Sequence, residues 1–468
     1  MIINSVRDVT TPAALLDCDV DVSAAYLRLQ TVAALDPAAP VGDGPIAQLA
    51  PRDKPARAGY PREIWLLVGG NMLVRASAFA YPFMAYHVAH QGHAAGAVGV
   101  VLAAFGVGWS VGQLLCGWLV DRFGPRLTLV STMLIAAAVL ILMADARTVP
   151  ALLLGAFITG VVYDAVRPAL GASIVQHVPD PGERAKLDGW RFGWIVSAGR
   201  AVTGGLGGVL VGWSGVPLLY WINGVACALF AVVAACCIPA GCKTARRPAA
   251  RARKSGHVSY REAFADRRLV LLFLSGLATL TAVRGLYATV PMLMADRGLD
   301  AGQFGEAQLA NALLGLLLTP VLTPWLSKIV SRANPRLDIL AVASIWTALC
   351  MGAVALARTP LAFIVATALC TPGEIACLVI AAGVVHQISP QGSGGRYHGA
   401  WSMALAIASV IAPIMASSCL MHGGHRMVAF VTVTIGLIGA ALCLPLARAL
   451  GHNTRSFQLL RPKRSYSS

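Results

Sequence analysis

Long apolar segments alternate with short polar ones along most of this chain. Twelve segments are apolar over roughly 20 residues, the length that a helix needs to cross the hydrocarbon core of a bilayer. We number them as spans 1 to 12, and they run over 64–88, 95–120, 127–146, 151–177, 187–213, 218–239, 268–294, 305–327, 338–357, 361–387, 398–420 and 427–450. The pattern predicts an all-α membrane protein with twelve transmembrane helices.

The twelve spans divide the chain into two groups of six. We expect an N-terminal bundle over 63–239, a C-terminal bundle over 268–450, a basic cytoplasmic linker over 240–267 and a cytoplasmic tail over 451–468. Residues 1–62 are rich in Ala, Pro and Asp and lack the basic start and apolar core of a signal peptide. We therefore expect a weakly ordered cytoplasmic extension there.

Composition and charge agree with this topology. Charged residues are 12% of the chain, whereas a soluble domain carries about 25%. If the N-terminus is cytoplasmic, most Lys and Arg residues lie on the cytoplasmic side, and the outer loops hold only Arg147, Arg297, Arg358 and Arg426. This is the distribution that the positive-inside rule requires. The net charge of +16 is therefore interpreted as topology and contact with anionic lipid, not as nucleic-acid binding.

Neither a metal site nor an enzyme is predicted. The eleven cysteines are scattered without metal-ligand spacing and read as core residues. No set of Ser, His and Asp and no nucleotide-binding motif is found, and the GGLGG run at 204–208 lacks the strand that precedes a phosphate loop. We expect no cofactor.

A charged, glycine-containing run joins spans 2 and 3. This run, GWLVDRFGPRLTL at 117–129, places Asp121, Arg122 and Arg126 between two apolar segments, with Gly124 among them. The interval is too short for a domain. It predicts a tight reversal between two membrane helices.

The second half of the chain repeats features of the first half. Arg75 precedes Pro82 by seven residues in span 1, and Arg284 precedes Pro291 by seven residues in span 7. The two pairs are offset by 209 residues. Because a charged Arg is costly inside a spanning helix, its recurrence at the same distance from a Pro indicates two related six-helix bundles. We expect both prolines to kink their helices.

Six ionisable residues lie well inside the predicted spans. Each unpaired charge at the bilayer centre costs about 3 kcal/mol, so six would cost on the order of 18 kcal/mol, more than the roughly 5–15 kcal/mol of net stability that proteins have. They must be paired or face a water-filled cavity, or both. They are Arg75, Asp164, Arg167, Arg200, Arg284 and Glu374.

Several pairings are open. Asp164 can meet Arg167 on one face of span 4, because the two are three residues apart, or it can meet Arg75 of span 1. Arg284 is a candidate partner for Glu374. The pairs either hold helices together or take part in transport. The surplus of positive charge favours anionic or polar substrates over lipophilic cations.

These residues and the loop together resemble the major facilitator superfamily of secondary transporters over roughly 60–450. The chain is most similar to its twelve-helix drug:proton antiporter branch, that of MdtH-like exporters. Pro125 replaces a usual basic residue in the loop, and Thr203-Gly204 occupies the position of a usual Gly-Pro step in span 5. The matching residues are Asn71, Arg75, Gly117, Leu119, Asp121, Arg122, Gly124, Arg126, Arg167, Pro168, Gly373, Glu374, Arg396, Tyr397 and Gly399.

The resemblance implies the major facilitator fold, with two pseudo-symmetric six-helix bundles and a central cavity lined by spans 1, 4, 7 and 10. It also implies that Asp121 meets the start of span 11 and stabilises one conformation. The residues of this gating loop would be Gly117, Asp121, Arg122, Gly124 and Arg126. The predicted substrate and proton cavity comprises Arg75, Asp164, Arg167, Arg284 and Glu374, with Tyr81, Tyr287 and Asn311 as residues for substrate contact or for packing.

Our leading interpretation is a monomeric transporter in the plasma membrane that exports small amphipathic molecules, with both termini in the cytoplasm. In this hypothesis Glu374 and Asp164 carry protons. Uptake or facilitated diffusion of a nutrient is an alternative. A receptor or scaffold that has lost transport is a third interpretation, for which the long N-terminal extension is the only support.

Overall fold

Helices make up all the regular structure that we describe. The structure is a computed structural model that describes residues 62–163, 165–166, 169–170, 174, 195–238, 260–330, 337–389 and 394–459. The predicted N-terminal extension, most of the basic linker, and both Asp164 and Arg167 lie outside these residues. Nine described helical segments are long and apolar enough to cross a membrane, and one of them, Gly399–Leu450, contains both span 11 and span 12.

The first half of the molecule contains spans 1 to 6. Span 1 consists of two helices, and the continuously described helix of span 4 ends at Tyr163. The bounds are Arg62–Ala76 and Ala80–His90 for span 1, Ala95–Phe123 for span 2, Pro125–Asp145 for span 3, Val149–Tyr163 for span 4, Val196–Ser214 for span 5 and Val216–Cys237 for span 6.

The second half contains spans 7 to 12, preceded by a short helix, Tyr260–Ala265. Spans 7 and 10 each consist of two helices. Spans 11 and 12 form one helical segment, Gly394–Leu459, that divides at Gly424, whose backbone is not helical. The other bounds are Arg267–Gly285 and Thr289–Asp296 for span 7, Ala301–Val330 for span 8, Leu337–Leu356 for span 9, and Pro360–Leu369 and Thr371–Ile388 for span 10.

Successive spans run in opposite directions, so the molecule has two ends. We call the end that holds Gly124 and the start of span 7 the linker end, because the chain passes there from the first half to the second. The opposite end, with the connections at 91–94, 146–148, 297–300 and 357–359, is the distal end.

Large apolar side chains cover the outer faces of the spans. Leu142 is 72% exposed, Trp213 is 80% exposed and Phe430 is 72% exposed. A water-soluble protein rarely exposes contiguous apolar surface of this kind. These faces are suited to contact with lipid tails.

Spans 1 and 7 are interrupted where the repeat places a proline. A proline ring clashes with the carbonyl group four residues earlier, which is that of Ala78 for Pro82 and that of Tyr287 for Pro291. The helices are interrupted at 77–79 and at 286–288, again 209 residues apart. The predicted kinks are confirmed.

Side chains from neighbouring spans bind the carbonyl groups that these interruptions release. The Thr203 hydroxyl of span 5 donates to the carbonyl oxygens of both Arg75 and Ala76 at 3.2 Å. The Gln308 amide of span 8 donates to the carbonyl oxygen of Leu286 at 2.6 Å. The breaks are thus stabilised by contacts from outside their own helices.

The reversal between spans 2 and 3 consists of Gly124 alone. Its φ of +84° is a conformation that L side chains rarely adopt, and Pro125 begins the next helix at a position that suits proline. The predicted tight reversal is confirmed. Gly117 lies inside the span 2 helix, and the side chain of Asp121 is outside what the structure describes.

The two halves pack closely on the distal side of the molecule. A Cβ added at Gly208 of span 5 would lie 2.9 Å from the Gly302 carbonyl oxygen of span 8. A Cβ added at Gly106 of span 2 would lie 2.7 Å from the Ser409 carbonyl oxygen of span 11. Glycine is needed at both crossings because the helix backbones approach so closely. The span 5 glycines therefore allow close packing against span 8.

Candidate functional site: a charged cavity between the two halves

A cavity of ≈ 220 Å³ lies between the two halves and is lined by residues of spans 1, 2, 4, 5, 7, 8, 10 and 11. The cavity lies closer to the linker end than the glycine crossings do. It is lined by Trp109, Thr203 and Leu405, whereas the crossing residues Gly106, Gly208 and Ser409 lie nearer the distal end of the same three helices. The predicted cavity residues that line it are Arg75, Tyr81, Arg284, Tyr287 and Glu374.

An ion pair joins the two halves across this cavity. Arg200 Nη1 of span 5 lies 3.2 Å from Glu374 Oε1 of span 10. Glu374 is only 7% exposed, and Arg200 is its ion-pair partner. It also lies in the first turn of the helix Thr371–Ile388, where the helix dipole favours a carboxylate.

The ion-pair partner of Glu374 is Arg200 and not Arg284, the candidate from the sequence. The sequence places Arg200 among the buried charges, on span 5, but the predicted cavity set does not include it. The structure adds it, since a side chain from span 5 crosses to the second half. Its presence among only six buried charges was the signal that could have identified it.

Asn311 packs behind Arg200, and it is not among the residues that line the cavity. It is 1% exposed, and its Oδ1 accepts a hydrogen bond of 2.9 Å from Arg200 Nη2. Its Nδ2 donates to the Thr371 hydroxyl at 2.9 Å and to the Thr367 carbonyl oxygen at 3.3 Å. Asn311 therefore connects Arg200 to the interruption of span 10 that precedes Glu374.

Side chains of span 9 also contact the interruption of span 10. Pro372 cannot donate a main-chain hydrogen bond, and the Trp346 indole donates to the carbonyl oxygen of Leu369 at 2.7 Å. Gly373 lies directly against the Thr347 hydroxyl of span 9. These contacts determine where the carboxylate of Glu374 is placed.

Arg284 lies among aromatic rings. Its guanidinium carbon is 5.0 Å from the Trp109 ring centroid, 5.2 Å from that of Tyr81 and 5.3 Å from that of Tyr287. These are cation–π distances. Tyr81 is held in turn by stacking on Phe105, with ring centroids 4.2 Å apart.

Arg75 lies on the opposite wall, in the first half. Its guanidinium carbon is 5.7 Å from the centroid of the Tyr163 ring, and its main chain lies close to Gly199 of span 5. Because Asp164 and Arg167 are outside the described residues, their pairing with each other or with Arg75 stays a prediction.

The loop between spans 2 and 3 lies at the linker end, away from the cavity. Arg122 is exposed and packs over the Trp118 ring, with 5.6 Å between the guanidinium carbon and the centroid. Arg126 is half-buried. The gating role of these residues stays a prediction.

A second charged cluster at the linker end connects spans 7 and 11. Asp266 caps the helix Arg267–Gly285 by accepting from the main-chain N–H of Arg268 at 2.9 Å, and it also accepts from the Arg268 guanidinium and the Tyr397 hydroxyl. Partial burial raises the pKa of the Asp266 carboxyl, but the hydrogen bonds and the charge of Arg268 outweigh it, so this pKa lies below its usual value.

The described residues contain no group of three or more His, Cys, Asp or Glu that could hold a metal ion. The side chains that meet in the cavity are guanidinium, phenol, indole and carboxylate groups. Such groups can bind charged and aromatic solutes, and the carboxylate can exchange a proton.

Solved structures with the same fold are transporters. The crystal structure of the peptide transporter POT in complex with alafosfalin has a TM-score of 0.67 at 15% identity, over 84% of this chain and 96% of that one. An auto-inhibited POT family peptide transporter has a TM-score of 0.61 at 18% identity, over 84% and 97%. The nucleoside transporter NupG has a TM-score of 0.64 at 13% identity, over 83% and 98%.

The sequence matches a family model as well. The model described as Major Facilitator Superfamily matches residues 64–337 and 272–465, so both halves of the chain are recognised. Together with the two six-helix bundles and the cavity between them, this match identifies a membrane transporter and not an enzyme. The chain belongs to the Major Facilitator Superfamily.

Proposed function

We propose that this protein is a proton-coupled secondary transporter that exports small amphipathic molecules by alternating access. The observation that carries the proposal is the ion pair between Arg200 and Glu374, because it is a titratable link between the two halves at the cavity itself. Intramembrane carboxylates of this kind mark proton pathways.

Protonation of Glu374 removes the charge that attracts Arg200. The proton comes from water on one side of the membrane, the carboxylate becomes a neutral acid, and the ion pair is replaced by a weaker hydrogen bond. The halves are then free to move relative to each other. Deprotonation on the other side of the membrane restores the pair and completes the cycle.

The packing supports a state that is closed on the distal side. The helix crossings at Gly208 and Gly106 lie between the cavity and the distal end, and we infer that solutes reach the cavity from the linker end in this state. With a cytoplasmic N-terminus, which the distribution of basic residues favours, this is an inward-facing conformation.

Export rests on the resemblance to drug:proton antiporters in the loop and in spans 1 and 10. Direction can be tested in everted membrane vesicles with an acidic lumen, after a drug-sensitive host expressing the protein has been screened against a broad compound panel. Accumulation driven by the acidic lumen supports export by antiport. Proton-driven uptake into right-side-out vesicles supports nutrient uptake instead.

The coupling carboxylate can be tested in the same vesicles. Glu374→Gln should abolish proton-driven flux but leave exchange of substrate across the membrane. Glu306→Gln is the matched control, because Glu306 is an exposed carboxylate of span 8 outside the cavity. Asp164→Asn tests the second predicted proton carrier. Normal coupling in Glu374→Gln contradicts the proposal, and absence of flux in the unmodified protein favours a receptor or scaffold.

A further inference from the structure

We propose that the cavity binds organic anions, with a carboxylate head group held at Arg284 and an apolar body against the remaining walls. The head-group site consists of Arg284, Tyr81 and Trp109. The proposal names the substrate class for the transport function proposed above and rests on it.

Three buried donor groups of this site have no acceptor among the described residues. They are Nε of Arg284, Nε1 of Trp109 and the hydroxyl of Tyr81. Tyr81 is 4% exposed and Trp109 is 5% exposed, and all three residues line the cavity. Buried donors without partners are rare in native proteins. A ligand that only accepts hydrogen bonds, such as a carboxylate, supplies acceptors for donors of this kind.

Among the described residues, the charge of Arg284 has no carboxylate partner. Glu374 is engaged by Arg200, and within the described residues no carboxylate lies within ion-pair distance of Arg284. The nearby aromatic rings stabilise a cation only partly. A charge at this depth in a membrane protein is costly unless it is paired, and an anionic ligand would pair it.

The other walls of the cavity match an apolar body. Pro82, Val196, Val283, Leu378 and Leu405 line it. Arg284 lines the same cavity, and its positive charge would repel a cationic head group. The arrangement therefore favours a carboxylate over an amine of the same shape.

Matched probes can isolate the head group. The purified protein is titrated with 4-phenylbutyrate, 4-phenylbutyramide and 4-phenylbutylamine, and with hexanoate, hexanamide and hexylamine, while its thermal unfolding is followed. We expect at least one of the carboxylates to stabilise the protein, and its amide and amine counterparts to do so weakly or not at all. Equal stabilisation by the amide or the amine, or no stabilisation by either carboxylate, overturns the proposal.

Variants connect the effect to the site. Arg284→Gln should weaken carboxylate binding about tenfold or more, as expected for a lost charge-assisted hydrogen bond. Arg358→Gln, the same change at an exposed arginine of the distal end, should leave binding unchanged. Undiminished binding in Arg284→Gln overturns the proposal.

Two milder variants apply if Arg284→Gln does not fold. Tyr81→Phe and Trp109→Phe each remove one donor and keep an aromatic ring, and each should weaken carboxylate binding about fivefold. Unaltered affinity in both variants overturns the proposal.

The outcomes separate this inference from the transport function. Carboxylate binding without any proton-driven flux in vesicles contradicts the transport function and leaves the anion site standing. Proton-driven flux of an amine without carboxylate binding contradicts the anion site and leaves proton-coupled transport standing.

Discussion

Arg200 of span 5 and Glu374 of span 10 are 174 positions apart in the chain, yet their side chains approach to 3.2 Å and join the two halves. Asn311 holds Arg200 from the other side at 2.9 Å. The pair is thus part of a hydrogen-bonded group that includes the interruption of span 10. This group links the cavity to the helices that must move during transport.

Loss of Arg200 alone should be more harmful than loss of the whole pair. Arg200→Gln leaves Glu374 buried without its partner, and we expect a destabilisation of about 2 kcal/mol, since the pair is largely but not fully buried. The double variant with Glu374→Gln should recover part of this loss. Thermal unfolding of the two single variants and the double variant measures the coupling. Strictly additive effects would show that the pair does not contribute.

A side chain at the glycine crossing should shift the conformational equilibrium. In Gly305→Ala, the new Cβ would lie 2.6 Å from the Cα of Gly208, so the distal ends of spans 5 and 8 must separate. Gly212→Ala is the control, because a Cβ added at Gly212 meets nothing within 4 Å.

The separation can be measured as a distance. Probes at Arg147 and Arg358, in distal connections of opposite halves, should report a longer distance in Gly305→Ala than in Gly212→Ala. Identical distance distributions in both variants would contradict closure of the distal side at this crossing.

The interruption of span 1 should depend on one hydroxyl group. Thr203→Val keeps the shape of the side chain but removes the donor to the carbonyl oxygens of Arg75 and Ala76. We expect a loss of about 1 kcal/mol of stability, the usual contribution of such a bond. Thr203→Ser, which keeps the hydroxyl, should be closer to the unmodified protein in thermal unfolding. The reverse order would mean that the methyl group matters and the hydroxyl does not.

The Asp266 cap should make stability depend on pH at the linker end. The pKa of Asp266 in the folded protein lies below its usual value of 3.8, so the cap contributes fully above that value and is lost as the pH falls through the folded pKa. The difference in melting temperature between the unmodified protein and Asp266→Asn should therefore shrink from pH 7 to pH 3. Because Asn keeps a capping oxygen, the difference reports the carboxylate charge at the helix N-terminus, for which we expect about 0.5 kcal/mol.

A second variant tests whether the pH dependence comes from Asp266 and not from other carboxylates. Tyr397→Phe removes one hydrogen bond to Asp266 and should reduce the pH-dependent difference. A difference that is constant over this pH range would show that Asp266 does not titrate below its usual value in the folded protein.

Local sequence was enough to predict the spans, the tight reversal at Gly124 and the interruptions of spans 1 and 7. Span length follows from bilayer thickness, and the positions of Pro82 and Pro291 determine which carbonyl groups cannot be bonded within the helix. The spans, the reversal and the interruptions each depend on residues that are neighbours in the chain. The 209-residue repeat indicated two bundles because a buried Arg is costly in a span and recurs at the same distance from a Pro.

Tertiary structure alone decided which buried charges meet. The sequence shows that Arg200, Arg284 and Glu374 lie inside spans. Which of the two arginines pairs with Glu374 depends on the rotation and the crossing of helices from different halves. The same geometry places Asn311 against Arg200 and Arg284 among aromatic rings. Helix packing is set by close contacts such as those at Gly208 and Gly305, which join residues far apart in the chain, and local patterns do not contain that information.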